Sequence, residues 1–354
     1  MIISLALLFV ICMTSSFFEE RLLQRDKVIL YVLFGIAMVL ITGLREVGVT
    51  PDSDAYEIMY TGGGNVLLEE LMEPSFTFIA NILNSFSLGI NALFITYALI
   101  SIGLHLPILW KMSRLPLVTL TIYISYYYMM HEMVQIRAGV AAGFFLWAIY
   151  FYVEKRKMAA LGLILMGTLF HYSAAAGLLL FVLSDKLPLW QKIVLYLLIP
   201  VGLIAYFTHL DLSQLLPEKL VGDKLVLYRE LKDKGLEEEQ AGWPLEHNML
   251  IWLNILLYFA CIYYSDLLTK YCKYVPIAIK VQAVGFCFLF FANGISSVLG
   301  NRMNDFFSIA NIILWTASAY AFCPRIAGIT ISNVISTGRF VTSMLAYALS
   351  LLYM

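Results

Sequence analysis

MAALGLILMGTLFHYSAAAGLLLFVL, residues 158 to 183, is a 26-residue apolar run interrupted once, by His171, Tyr172 and Ser173. It has two readings. As one overlong tilted helix with a polar kink, it puts Lys186, Lys192, Lys270 and Lys273 outside a membrane and moves Arg302 inside. As two short helices meeting at His171, it returns those lysines to the cytoplasmic side, where short loops collect Lys and Arg. Charge parity favours the broken hairpin. Each half then holds about 13 residues, roughly 20 Å of helix, less than the ~30 Å hydrocarbon core. The ends must sit in a protein-lined cavity, since unpaired backbone is not tolerated in lipid. Broken helices of this kind line substrate sites.

The rest of the chain agrees with a membrane reading. Its 354 residues are 61% hydrophobic and 13% charged, with a mean hydropathy of +0.82, more apolar surface than a water-soluble fold would bury. Apolar spans run near 1–18, 28–44, 91–110, 115–130, 138–153, 193–208, 248–265, 277–297 and 303–323, with a less regular one near 335–354. The expected fold is an all-α polytopic transmembrane bundle of about 11 to 12 helical segments, forming one integral membrane domain over 1–354. Arg21, Arg25, Lys27, Lys111, Arg114, Lys155, Arg156 and Lys157 set alternate loops inside, and Arg325 and Arg339 follow them. The first span lacks the basic n-region and the cleavage site of a signal peptide and reads as a retained helix.

Two extracytoplasmic segments are large. In 45–90, an amphipathic helix is expected after Pro74, where Phe76, Phe78, Ile79, Ile82, Leu83 and Phe86 recur at helical spacing. The segment 209–247, which Leu225, Val226 and Tyr228 would anchor, reads as a lid loop or a plain solvated connector. The net charge of −1 gives no field for nucleic acid. The five cysteines lack C-x-x-C spacing and read as small hydrophobes. There is no glycine-rich nucleotide loop, no H-E-x-x-H and no zinc spacing, so no cofactor or metal is expected.

Arg45, Arg137 and Arg302 are the only basic side chains in the short loops of the outer face. Each singly reads as an interfacial anchor. As a set, on the side where positive charge is discouraged, they point to a phosphorylated lipid, because the guanidinium fork grips phosphate. His171 reads as a hydrogen-bonded helix interruption or as a general base. Asp52 and Asp54 compete for the base role, or serve as a cation ligand or turn device. Glu73 reads as a favourable charge at a helix N-terminus. His131 and Glu132 share the outer loop of Arg137 as expected partners to it.

Gly43-Leu44-Arg45 followed by Asp52 and Tyr56, Glu73-Pro74, Val134-Gln135-Ile136-Arg137 ahead of Gly139 and Ala141, and Phe170-His171-Tyr172-Ser173-Ala174 form an ordered set. Tyr228 and Arg302 match more weakly. The set spans most of the chain and resembles the EpsG family, a Wzy-like family of bacterial exopolysaccharide and O-antigen repeat-unit polymerases. The chain departs from the family pattern at Ala138, where glutamine often follows the arginine, and at Pro51 and Asp54, which crowd the aspartate loop.

The resemblance implies a GT-C-like glycosyltransferase of the bacterial inner membrane, metal-independent, with its active site facing the periplasm or exterior. It implies undecaprenyl-diphosphate-linked oligosaccharide as donor and acceptor, the growing chain passing to a newly flipped repeat unit, and admits a chain-length regulator protein as partner. On this expectation His171, Asp52 and Asp54 are catalytic, and Arg45, Arg137 and Arg302 hold the diphosphate. Tyr56, Glu73, Gln135 and Tyr228 contact substrate. Two rivals stand beside it, a lipid-linked oligosaccharide flippase and a membrane O-acyltransferase.

Overall fold

The computed structural model describes residues 1–50, 52–62, 72–208, 210, 245–292 and 296–353, and every element among them is helical. Contacts group the chain into two compact units, Met1–Leu180 with Trp315–Met354, and Phe181–Leu314. Tyr228, Pro51 and nearly all of the expected lid loop lie outside the described residues.

In the first unit, α1 (Ile2–Phe17) and α2 (Gln24–Gly43) are joined by a turn that buries Glu19 completely. Its carboxylate accepts the backbone N–H of Leu117 at 3.1 Å and of Val118 at 3.0 Å. These are donors left over at the start of α6 (Pro116–Ile122). Two short helices follow α2, α3 (Ser53–Thr61) and α4 (Pro74–Ser85). Pro74 opens α4 as expected, and the helix is apolar on two sides. Phe76 and Ala80 are buried, whereas Phe78, Ile82 and Phe86 are exposed, as suits a helix lying at a membrane surface.

Helix α5 (Ile90–Met112) packs against α2 through glycine notches. A β-carbon at Gly35 would come within 2.6 Å of Leu106, and one at Gly43 within 2.4 Å of Ile95. Small residues of this kind let membrane helices approach closely. Helix α6 runs on as a π-helix, Tyr123–Val134, where the sequence reads as an ordinary span. The wider turn, visible in the Gln135 N–H to Met130 carbonyl bond of 2.9 Å, carries Tyr123, Tyr127, Tyr128, His131 and Glu132 into the interior.

Helix α7 (Ile136–Val153) is central, with 67% of its most apolar window buried against 17% for α9 (Leu189–Phe207) of the second unit. Against α7 lies the hairpin. Helix α8 (Lys157–Phe170) ends at His171, whose extended backbone (φ −154°, ψ 117°) breaks it, and a 3₁₀ helix covers Tyr172–Phe181. A β-carbon at Gly167 would lie 3.6 Å from Ala174, and one at Gly177 3.5 Å from Ile164. In a continuous helix the second pair would stand roughly 20 Å apart, so the chain reverses at His171.

The second unit contains α9, α10 (Met249–Tyr263), α11 (Ser265–Tyr271), α12 (Val275–Phe291), α13 (Ser297–Ser308) and the start of α14 (Asn311–Ser318). Lys280 is buried and donates to the Ser184 carbonyl and hydroxyl at 2.8 and 2.6 Å. Among the described residues four helices are long and apolar enough to span a membrane, α2, α5, α7 and α9. A fifth span is reached if α10 and α11, bent by 86°, count as one.

The last helix departs most from expectation. α15 (Arg325–Tyr353) starts well before residue 335, because Ser332, Asn333 and Ser336, which make its first half look polar, are buried and Asn333 pairs with Ser16. Arg339, counted above with the cytoplasmic-loop residues, is instead a buried mid-helix residue.

The glycine contacts are testable. A β-carbon at Gly139 would meet the His131 carbonyl at 2.3 Å, a backbone atom that cannot swing away, whereas at Gly162 it would meet nothing within 4 Å. Gly139→Ala is expected to cost about 1–3 kcal/mol in detergent unfolding, and Gly162→Ala to gain up to about 1 kcal/mol from helix propensity.

Candidate active site

The site lies in the first unit, where α3, α4, the start of α7 and the tip of the hairpin meet. A cation in the first turn of a helix faces the positive end of the helix dipole, and Arg137 is the second residue of α7. Its compensation is Glu73, one carboxylate oxygen of which accepts from Arg137 Nη1. The other oxygen lies 3.0 Å from His171 Nδ1. Glu73 therefore bridges an arginine and a histidine that stand far apart in sequence.

Glu73 is the residue before α4 and makes no side-chain cap to it. Its role as a helix-end charge is thus displaced by the contacts to Arg137 and His171, although its backbone carbonyl still accepts from Phe76 N–H at 3.0 Å. Burial alone would push the carboxyl up. The His171 hydrogen bond and the positive charge of Arg137 outweigh it and hold Glu73 below the ordinary carboxylate value. An ionised Glu73 can only accept, so Nδ1 donates to it, and in the uncharged imidazole tautomer that does so the lone pair sits on Nε2.

Aromatic rings hold the arginine from the other side. Its guanidinium carbon lies 5.5 Å from the Tyr56 ring centroid and 5.7 Å from that of Phe76, within cation–π range. Tyr56, Phe76, Phe94, Tyr97, Ile136 and Val140 form one buried cluster. Arg45, itself buried, stacks on Phe94 at 3.7 Å and donates from Nη1 to the Thr42 carbonyl at 2.7 Å. Arg45 and Arg137 thus flank the same apolar cluster.

The remaining expected residues distribute unevenly. Asp52 immediately precedes α3, and its charge acts on Tyr56. Asp54 is exposed in the first turn of α3, a favourable place for a carboxylate. Gln135 is the hinge between the π-helix and α7, with its carbonyl accepting from Gly139 N–H at 2.8 Å. Arg302 is exposed on α13 of the second unit.

Glu132 and His131 do not serve Arg137. The Glu132 carboxylate accepts from Tyr123, from Ser101 at 2.9 Å and lies 3.2 Å from His105. His131 stacks on Tyr127, with ring centroids 6.4 Å apart. Nothing local in the sequence marks this cluster. Ser101 and His105 sit one turn apart on α5, and only packing brings Glu132 to them.

These features define a multi-pass membrane protein with a part-buried arginine–carboxylate–histidine site beside a broken helix. A family model described as the EpsG family matches residues 28–354, and the chain belongs to that family. No curated protein and no solved structure matches it. Membership fits an exopolysaccharide or O-antigen polymerase-like role.

Breaking one side of the ion pair strands the other charge. Glu73→Gln and Arg137→Gln are each expected to cost about 3 kcal/mol of stability, read by thermal unfolding in detergent. The double variant should cost less than their sum by about 1–3 kcal/mol, and strict additivity would refute the coupling.

Proposed function

We propose that the protein joins lipid-diphosphate-linked oligosaccharide repeat units into a bacterial surface polysaccharide, at the outer face of the inner membrane. The observation that carries this reading is the Glu73 carboxylate held between Arg137 and His171. It supplies a fixed cation for a departing diphosphate and an oriented imidazole for a hydroxyl, beside a helix break of the kind that lines substrate cavities. A flippase has no use for an oriented base, and an acyltransferase has little use for the arginines.

In the proposed reaction the acceptor hydroxyl oxygen bonds to the anomeric carbon of the donor chain while the bond from that carbon to the diphosphate oxygen breaks. The electron pair leaves with the diphosphate. Arg137, with Arg45, offsets the charge building there, which costs no reorganisation when the donors are already in place. The hydroxyl proton passes to His171 Nε2, and Glu73 stabilises the resulting imidazolium. Asp52 is the rival base and Asp54 the more exposed alternative. Tyr56 and Gln135 contact the sugar. The donor and acceptor carriers are undecaprenyl diphosphates, and a chain-length regulator is the partner protein this role accommodates.

Purified protein with a synthetic diphosphate-lipid donor and acceptor tests the proposal, because new glycosidic bonds, acyl esters or neither separate polymerase, acyltransferase and flippase. Arg137→Lys, which keeps the charge but loses the fork, is expected to lower turnover about a hundredfold while remaining inserted. A full product-length distribution from that variant would remove Arg137 from the mechanism. His171→Gln with unchanged turnover would transfer the base role to Asp52.

A further inference from the structure

Arg339 is a buried cation of the first unit for which the polymerase chemistry above has no use. It stands roughly four turns beyond Arg325 in α15, with only 3% of its surface exposed. Tyr127, Tyr126 and Trp315 surround its guanidinium, with ring centroids 5.0, 5.4 and 5.4 Å from the central carbon. Among the described residues none accepts a hydrogen bond from Nε, Nη1 or Nη2.

Aromatic faces offset part of a cation's charge, but they are not lone pairs for the five N–H groups of a guanidinium fork. Helix α15 contains no Asp or Glu. The π-helix that carries Tyr126 and Tyr127 has one acid, Glu132, already engaged by Tyr123, Ser101 and His105. Among the described residues the Tyr127 hydroxyl and both ring nitrogens of His131, which stacks on Tyr127, likewise have no hydrogen-bond partner. A charged fork inside a membrane bundle is costly and is kept where it serves a function.

We propose that Arg339 anchors a second anion site, built with Tyr127, that takes a phosphate or diphosphate group. By charge it is better suited to an anion than Arg137, whose guanidinium Glu73 already neutralises. The proposal rests on the polymerase reading only for the origin of its ligand. A polymerase handles two lipid diphosphates, and this site offers the second a place.

Trp315 reports on the site. Its emission, taken as the difference between the full-length protein in detergent and its Trp315→Phe variant, is titrated with inorganic pyrophosphate and separately with an isoprenyl diphosphate in mixed micelles. A saturable change is expected, with affinity at least about tenfold weaker in Arg339→Gln and also reduced in Arg339→Lys, which keeps the charge without the fork. A response to the lipid alone assigns a headgroup, whereas a response to pyrophosphate as well assigns the free anion as sufficient. Both support the site. No saturable change with either probe overturns it, as does an Arg339→Gln titration that matches the parent. Should Arg339→Gln fail to insert, parent-like affinity in Arg339→Lys overturns it equally. Binding of this kind by a protein that forms no glycosidic bonds would sink the polymerase reading and leave the site standing.

Discussion

A carboxylate removed from water must be met by positive charge or by several donors, and the first unit is arranged around one such group. Glu73 is buried at the start of a surface helix and is answered from two directions, by Arg137 at the start of the central helix and by His171 at the tip of the broken one. Loss of any one member leaves a charge or a donor stranded in a medium that solvates neither well. Three segments that share no local sequence signal are tied together by that requirement. The aromatic cluster of Tyr56, Phe76, Phe94 and Tyr97 closes the site from the apolar side and keeps the charges close.

Interruptions of regular helix are what place these groups. The break at His171 turns the backbone extended for one residue and sends the chain back along itself, so that a histidine is presented at a tip rather than along a helix face. The π-helix does a similar thing more gently, widening the turn until tyrosines, a histidine and a glutamate share the interior. Glycine notches complete the arrangement. Gly139 lets α7 come against the carbonyl of His131, and Gly177 brings the returning arm of the hairpin onto Phe145. In a membrane, where apolar surface gives helices little reason to prefer one another over lipid, such close contacts supply much of the association.

Not all of the arginines are equivalent electrostatically. Arg137 is paired with a carboxylate and Arg45 is stacked on Phe94, whereas Arg339 is enclosed by rings with its donors unused among the described residues. A guanidinium already neutralised orients and discriminates more than it attracts, while one facing only π-clouds, which offset only part of its charge, keeps more of its pull on an anion. This difference separates a group suited to shaping a transition state from one suited to holding a second anionic ligand.

Composition and hydropathy alone determine that this chain is an all-helical membrane protein, because no soluble core could absorb so much apolar surface. Charge parity across the short loops likewise predicts the hairpin at His171, since lysines on the wrong side of the membrane carry a cost that the alternative removes. The ordered motifs containing Arg45, Glu73, Arg137 and His171 carry the family. Pairing is another matter. That Glu73 bridges Arg137 and His171 rather than capping its helix, that Glu132 turns to His105 and away from Arg137, and that Arg339 lies inside the bundle all depend on which helices become neighbours. Hydropathy averages over faces, so a helix whose polar side is satisfied by another helix reads as a loop until that partner is in place. Only the tertiary structure brings the partner there, and with it the energy that makes burial of those charges tolerable.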